Sequence, residues 1–344
     1  MSQFIQLHML TSYAPSNLNR DDLGRPKTAK MGGFDRLRVS SQSLKRNWRV
    51  SELFEAAMAG HIGIRTKRFG ITVFDKLTAA GVKEKPAKDW AMAIADVFGK
   101  GKKDSLEIEQ LAHISPEEQQ AVDALVETLV AEGRAPEKQD LDLLKEKQTA
   151  VDIALFGRML ASSPAFNVEA ACQVAHAISV HSIVVEDDYF TAVDDLNDGK
   201  EDAGSAHIGE SGFAAALFYS YICINKTQLI ENLGGNEELA NRAVKALTEA
   251  AVKVSPKGKQ NSFASRAYAS YVLAEKGAQQ PRSLAVAFLK PIQDEDPAGA
   301  AIQAMETQVE NLDKVYSPCA DARYSLNALT GVGSFAELAE FVAL

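Results

Sequence analysis

The sequence predicts an α+β fold: a ferredoxin-like β-α-β-β-α-β core carrying two insertions. Three observations predict it. Apolar residues recur with period two in segments 172–181 and 213–225, and the apolar stretches 4–10 and 263–274 also read as strands. Segments 41–59 and 237–252 carry helical periodicity with helix-start residues before them. Stripped of what lies between, the six segments run strand, helix, strand, strand, helix, strand, an order shared with RNA-recognition modules.

Each element has its own signal. FIQLHML (4–10) is a short apolar strand, and residues 11–39 read as a loop because Pro15, Gly24, Pro26, Gly32 and Gly33 interrupt them. Ser40 or Ser41 caps the first helix and Gly60 stops it. Residues 60–150 form a helical block. Its clearest element is 115–133, with Ser115 as N-cap, Pro116 behind it, two acids in the first turn and Gly133 at the end. After 150 the period changes. Cys172, Val174, His176, Ile178 and Val180 alternate with polar or small neighbours, and Phe213, Ala215, Leu217, Tyr219, Tyr221 and Cys223 do the same. Gly234-Gly235 leads into the second long helix. The stretch 263–274 reads as the last strand, and helices follow near 298–315 and 334–343. The expected division is 1–59, a helical insertion 60–150, a return to the first body at 151–185, a hairpin 186–212, and the remainder 213–344.

Composition narrows the function. The chain has 344 residues with a net charge of −9. It contains no apolar run long enough for a membrane span, and MSQFIQLHML lacks the basic start of a secretory signal. Cys172, Cys223 and Cys319 are too scattered for a disulfide framework or a zinc site. A cytoplasmic protein without membrane attachment or cofactor is expected. The charge is uneven. Residues 1–50 hold nine basic and three acidic side chains, which suggests one anion-binding face on an otherwise acidic body. Residues 186–202 hold eight acids against Lys200, the pattern of an exposed hairpin.

The first helix carries the best candidate site. Gln42, Lys45, Arg46 and Arg49 stand at i, i+3, i+4 and i+7, within about 100° of one another around a helix of 3.6 residues per turn. Leu44 and Trp48 point the other way. A row of long donors suits a row of phosphates, and Ser40 and Ser41 place helix N–H groups beside it. The basic loop residues Arg20, Lys27, Arg36 and Arg38 are expected to add to the same face. The competing reading is a solvated amphipathic face. Catalytic patterns are weak. His176 and His181 fall on opposite faces of one strand, and His176 reads as a satisfied core residue. GESG (209–212) is one residue short of a nucleophile elbow, no Walker A sequence exists, and G-x-G-x-x-A at 331–336 has no βαβ unit around it. Asp21-Asp22 could hold a divalent cation, although pairing with Arg20 or Arg25 is the simpler role. No enzyme is specified.

Six stretches carry a resemblance: SNLNRDD (16–22), RLRVSSQSLKRNWR (36–49), DIALFGRM (152–159), QVAHAISVH (173–181), DYFTAVDDL (188–196) and ENLGG (231–235). Together they resemble CasC, the repeated backbone subunit of the type I-E CRISPR surveillance complex, Cascade. The resemblance implies a hand-shaped, non-catalytic holder of guide RNA (crRNA): an RNA-recognition-like palm, helical fingers and a β-hairpin thumb. Copies would stack along the guide beside other Cascade subunits, and target DNA would be read by pairing with the guide. Position by position, it implies guide-phosphate contacts from Lys27, Ser40, Gln42, Lys45, Arg46 and Arg49, with Asn19 and Arg20 in the matching loop. Met159 would pack beside a displaced base, and Phe190, Thr191 and Val193 would wedge into the guide–target duplex. Lys257, Lys259 and Gln260 are offered as further phosphate contacts. The finger block, with KGKK at 100–103, departs from the family pattern and yields no assignment. The alternative is a metal-dependent ribonuclease like the related type III backbone subunits, using Asp21 or Asp22.

Overall fold

The computed structural model describes residues 2–145, 149–192 and 207–343, with only the backbone described at 207 and 208. In chain order the elements are β1 (Phe4–Ser16), β2 (Thr28–Met31), β3 (Phe34–Val39), α1 (Ser41–Arg49) and α2 (Glu52–Ala57). The helical block follows with β4 (Ile64–Thr66), α3 (Phe69–Ala79), α4 (Glu84–Asp96), β5 (Ala112–Ile114) and α5 (Pro116–Glu132). Then come α6 (Val151–Phe156), β6 (Cys172–Val174), β7 (Ala177–Ser179), β8 (Glu186–Ala192) and β9 (His207–Asn225). The chain continues with α7 (Lys226–Asn232), α8 (Glu237–Lys253), α9 (Gln260–Phe263), β10 (Tyr271–Gly277), α10 (Pro297–Tyr316), β11 (Ala322–Asn327) and α11 (Phe335–Ala343).

The expected mixed α+β class holds, built around an antiparallel sheet ordered β11-β10-β1-β9-β7-β3-β2, with β6 and β8 also paired to β9. β1 lies between β10 and β9, with Phe4 opposite both Gly277 and Asn225. Its period of two serves both faces. Ile5, Leu7 and Met9 join a core roofed by α1, α2, α8 and α11, whereas Leu10 belongs to a core on the other face with Tyr219, Leu284, Phe288 and Met305. Because the chain from 284 to 309 covers that second face, Tyr219 is buried and offers no open stacking platform. A third core unites α3, α4 and α5 with β5 and extends to Leu160.

Several elements differ from expectation. The helix expected over 41–59 breaks in two, because Ser51 Oγ donates to the Trp48 carbonyl and accepts the Phe54 N–H that opens α2. The loop expected over 11–39 contains an extension of β1 and the hairpin β2–β3. Gly32 and Gly33 make its turn with φ of +62° and +86°, and a Cβ on Gly32 would lie 1.8 Å from the Leu289 carbonyl oxygen. The single strand expected over 172–181 is two short ones, β6 and β7, interrupted at Ala175 and His176. The strand expected from 263 begins at 271, after α9. Strands β4 and β5 fall inside the block expected to be helical, and β11 and helix α7 carry no expectation. The capped helix at 115–133 is as read: Ser115 and Glu118 form a reciprocal capping box, and Gly133 closes it at φ 64°.

Candidate nucleic-acid interface

Helix α1 is oriented by its apolar side. Leu44 and Trp48 are buried in the core beneath it, worth roughly 1.5–3 kcal/mol each on general transfer grounds. Their burial turns the opposite side outward, leaving Gln42 and Arg46 exposed and Lys45 and Arg49 half-buried. Ser40 holds the helix start: its Oγ accepts the Ser43 N–H, and its own N–H donates to Asn19 Oδ1 at 2.9 Å. Asn19 and Ser40, both expected to touch phosphate, thus also brace the loop against the helix.

Across from α1 stands the two-stranded sheet of the helical block. Arg65 on β4 lies opposite His113 on β5, and Lys67 follows two residues on; both cations are exposed. Phe156 to Met159 form a third wall. Together they line a cleft of about 690 Å³ into which Gln42, Lys45, Arg46, Arg49, Arg65 and Lys67 converge. Met159, 75% exposed, supplies an apolar rim with Leu111. The Lys45 ammonium sits 5.8 Å from the Phe156 ring centroid, within cation–π range.

Two buried carboxylates fix the walls. Asp152, with no exposed surface, accepts from His113 Nε2 at 2.7 Å, Arg49 Nη1 at 3.3 Å and the Gly63 N–H at 2.9 Å. It therefore ties α1 to both strands of the opposing wall. Burial pushes its carboxyl up, but His113, the Gly63 amide and Arg49 outweigh burial and hold it below the usual range. Arg158 lines the cleft too, yet its guanidinium is spent on Glu118, at 2.7 and 2.9 Å, and on the carbonyls of His113 and Phe166. It shapes the site as an internal brace.

The basic loop is only partly what its charge suggests. Arg36 is fully buried and donates to the carbonyls of Ser179, Phe288 and Leu289, so it braces the sheet and is removed from the anion-binding face. Arg20 is exposed and Lys27 half-buried. Asp21 Oδ1 accepts the backbone N–H groups of Leu23 and Arg25, shaping the loop, whereas the Arg25 guanidinium pairs with Asp187 at 3.0 Å; among the described residues no ion pair joins an arginine to Asp21 or Asp22. His176 is not in the core: it is exposed beside Arg38, because the strand that would have buried it is broken there.

The remaining candidates lie apart from the cleft. Phe190 and Thr191 stand on the exposed hairpin strand β8, and the Phe190 ring covers Gly209 on the partner strand. Val193 lies outside the described residues. Lys257 is exposed, and its N–H donates to Asn47 of α1 at 3.1 Å. Lys259 Nζ donates to Ser211 Oγ at 2.8 Å, and the Gln260 side-chain amide donates to the carbonyls of Pro256 and Ser265. Those two hold the hairpin base and their own loop.

The model of one protein family, described as CT1975-like protein, matches residues 5–339. This chain belongs to the CT1975-like family. The resemblance to the Cascade backbone read from SSQSLKR and FTAVDD agrees with that membership. One solved structure, described as "CRISPR RNA-guided surveillance complex, pre-nicking", contains a chain 30% identical, with 99% of each chain covered and a TM-score of 0.85. Another, described as "CRISPR RNA-guided surveillance complex", is 24% identical over 99% of each chain with a TM-score of 0.74, and shows the shared fold. No curated protein matches.

In this CT1975-like chain the site residues that sequence reasoning missed are Arg65 and Lys67. Their signal was the alternation in IRTKR, hidden because the strand is three residues long within a helical block. Asp152 was inside a recognised motif, but only the fold reveals what it holds. Among the described residues no group of three or more metal-ligating side chains comes together, and no helix is long and apolar enough to cross a membrane.

Proposed function

We propose that this protein is a non-catalytic backbone subunit of a type I-E CRISPR surveillance complex that holds guide RNA by its phosphates. Copies would line up along the guide, beside the other subunits of the complex, while target DNA is read by pairing with the guide. The observation that carries the reading is the cleft itself. Six long donors from two walls that rest on different cores converge on one groove, and an exposed methionine stands at its rim. Such a groove meets a string of phosphates at several points and can seat an unstacked base against its apolar edge. The 30% identity over 99% of both chains to a chain of an RNA-guided complex supports the same reading. In it, the core of β1, α1, β6 with β7, β9, α8 and β10 is the RNA-recognition-like palm. Residues 60–150 are the fingers, and the hairpin begun by β8 and β9 is the thumb. RNA lies along the helix α1 side and not on the sheet face, which the chain itself covers.

The test is the affinity of the full chain for single-stranded RNA as salt is varied. For single strands the logarithmic salt slope changes by about 0.7 per phosphate contact. The double variant Lys45→Ala, Arg46→Ala should bind more weakly, with a slope shallower by about 1.4. Unchanged affinity and slope would overturn the assignment of the cleft.

A further inference from the structure

His176 lies between β6 and β7 at the point where α1 begins. Its Nδ1 is 3.1 Å from Arg38 Nη1 and 3.4 Å from the Ser41 N–H. Both neighbours can only donate, so Nδ1 accepts, which places the ring proton on Nε2 in a neutral imidazole. Burial, Arg38 and Lys27 all lower its basicity, in keeping with that form. Arg38 is tethered at a second point, Nε to the Thr28 carbonyl at 3.4 Å. The charged groups acting on the ring are Arg38 from β3 and Lys27 just before β2, whereas α1 presents the uncharged Ser41. Among the described residues, neither Lys27 nor Arg38 has a carboxylate at ion-pair distance, unlike Arg25 beside Asp187. Arg38 is thus oriented by the imidazole, its backbone N–H donates to the Lys27 carbonyl at 2.8 Å, and the imidazole also meets Ser41, the residue before Gln42 of the cleft.

We propose that Arg38 joins Lys27, for which the resemblance already implies a phosphate contact, in a phosphodiester-binding subsite at the start of α1, adjoining the cleft, and that His176 is the positioning residue that aims Arg38. This rests on the RNA-holding reading above and extends it to two side chains, Arg38 and His176. The reason for a phosphodiester over an isolated anion is continuity. The subsite extends the line of donors from Gln42, Lys45 and Arg46 past the helix start, so a strand lying in the cleft meets it next. Arg38 supplies forked donors, Lys27 a mobile charge, and the imidazole removes the freedom that an unrestrained guanidinium would lose on binding.

The experiment measures binding of fluorescein-labelled single-stranded RNA to the full chain across a salt series. Arg38→Ala should weaken binding about five- to tenfold and make the slope shallower by about 0.7. Arg38→Gln should do the same, and serves if the alanine variant fails to fold. His176→Ala should weaken binding several-fold with little change in slope, His176→Gln should restore it by returning an acceptor, and His176→Ala should add little once Arg38 is gone. If Arg38→Ala and Arg38→Gln bind with wild-type affinity and slope while Lys45→Ala, Arg46→Ala binds weakly, the subsite is refuted and the cleft stands. If all of these bind like wild type, the cleft reading falls and takes the subsite with it. An additive His176→Ala effect would refute its positioning role alone.

Discussion

Asp152→Ala tests whether one buried carboxylate joins the two walls of the cleft. The side chain has no exposed surface and satisfies three donors from three places: His113 on β5, Gly63 before β4 and Arg49 on α1. Removing it leaves the buried His113 N–H and the Gly63 amide without an acceptor, at about 1–3 kcal/mol each. It also strips the counter-charge from Arg49, whose side chain is 14% exposed. Breaking a buried pair of this kind costs about 3–5 kcal/mol, which is the loss expected in urea unfolding. The two tryptophans report the two bodies, Trp48 beneath α1 and Trp90 against the core of the helical block. Both emission changes should move to lower urea. Asp152→Asn keeps an acceptor for Gly63 and should lose less. The acid response follows from the depressed carboxyl. Its stabilising contribution is present above its unfolded value, about pH 4, and is lost as pH falls through the lower folded value, so Asp152→Asn should show the weaker acid dependence. A loss under about 1 kcal/mol in Asp152→Ala would refute the bracing argument.

Other outcomes follow from the same physics. Glu118→Gln should destabilise the helical block by about 3–5 kcal/mol in urea unfolding, because it breaks the buried Arg158–Glu118 pair and weakens the cap of α5. His8 is fully buried, and burial holds its imidazole below its ordinary value despite Glu275. The unfolded chain therefore takes up a proton first as pH drops below about 6.5, and stability should fall by up to about 1.4 kcal/mol per pH unit until the folded value is reached. His8→Gln should flatten that part of the stability–pH curve, and an unchanged slope would refute its assignment to His8. Gly209→Val should push Phe190 off the opposite strand, since even a Cβ there would lie 2.3 Å from Phe190 Cζ. Faster hydrogen exchange in β8 would report it, and unaltered exchange would count against the packing.

What the sequence revealed depended on whether the cause was local. The outward face of α1 was readable because Leu44 and Trp48 set a helical period by themselves. The capped helix after Ser115 was readable because a cap is a contact over three residues. Arg36 misled because its carbonyl partners at Ser179, Phe288 and Leu289 lie far along the chain, so its charge looked like surface charge. His176 misled because the alternation from 172 to 180 is real, but the backbone breaks in the middle of it. The hairpin β2–β3 was hidden because its strands are short and only β3 contributes buried apolar residues to the core, Leu37 and Val39, although Gly32-Gly33 was a fair signal for its turn. Arg65, Lys67 and Asp152 become a site only when the helical block folds back on α1, a consequence of tertiary contact that no single stretch records.

The most direct test of the central claim is the mass of the assembly formed on single-stranded RNA of increasing length, measured by light scattering after size exclusion. A backbone subunit should add copies stepwise as the strand lengthens, and Lys45→Ala, Arg46→Ala should reduce the number loaded. One copy per strand at every length, or no association with RNA at all, would contradict the account.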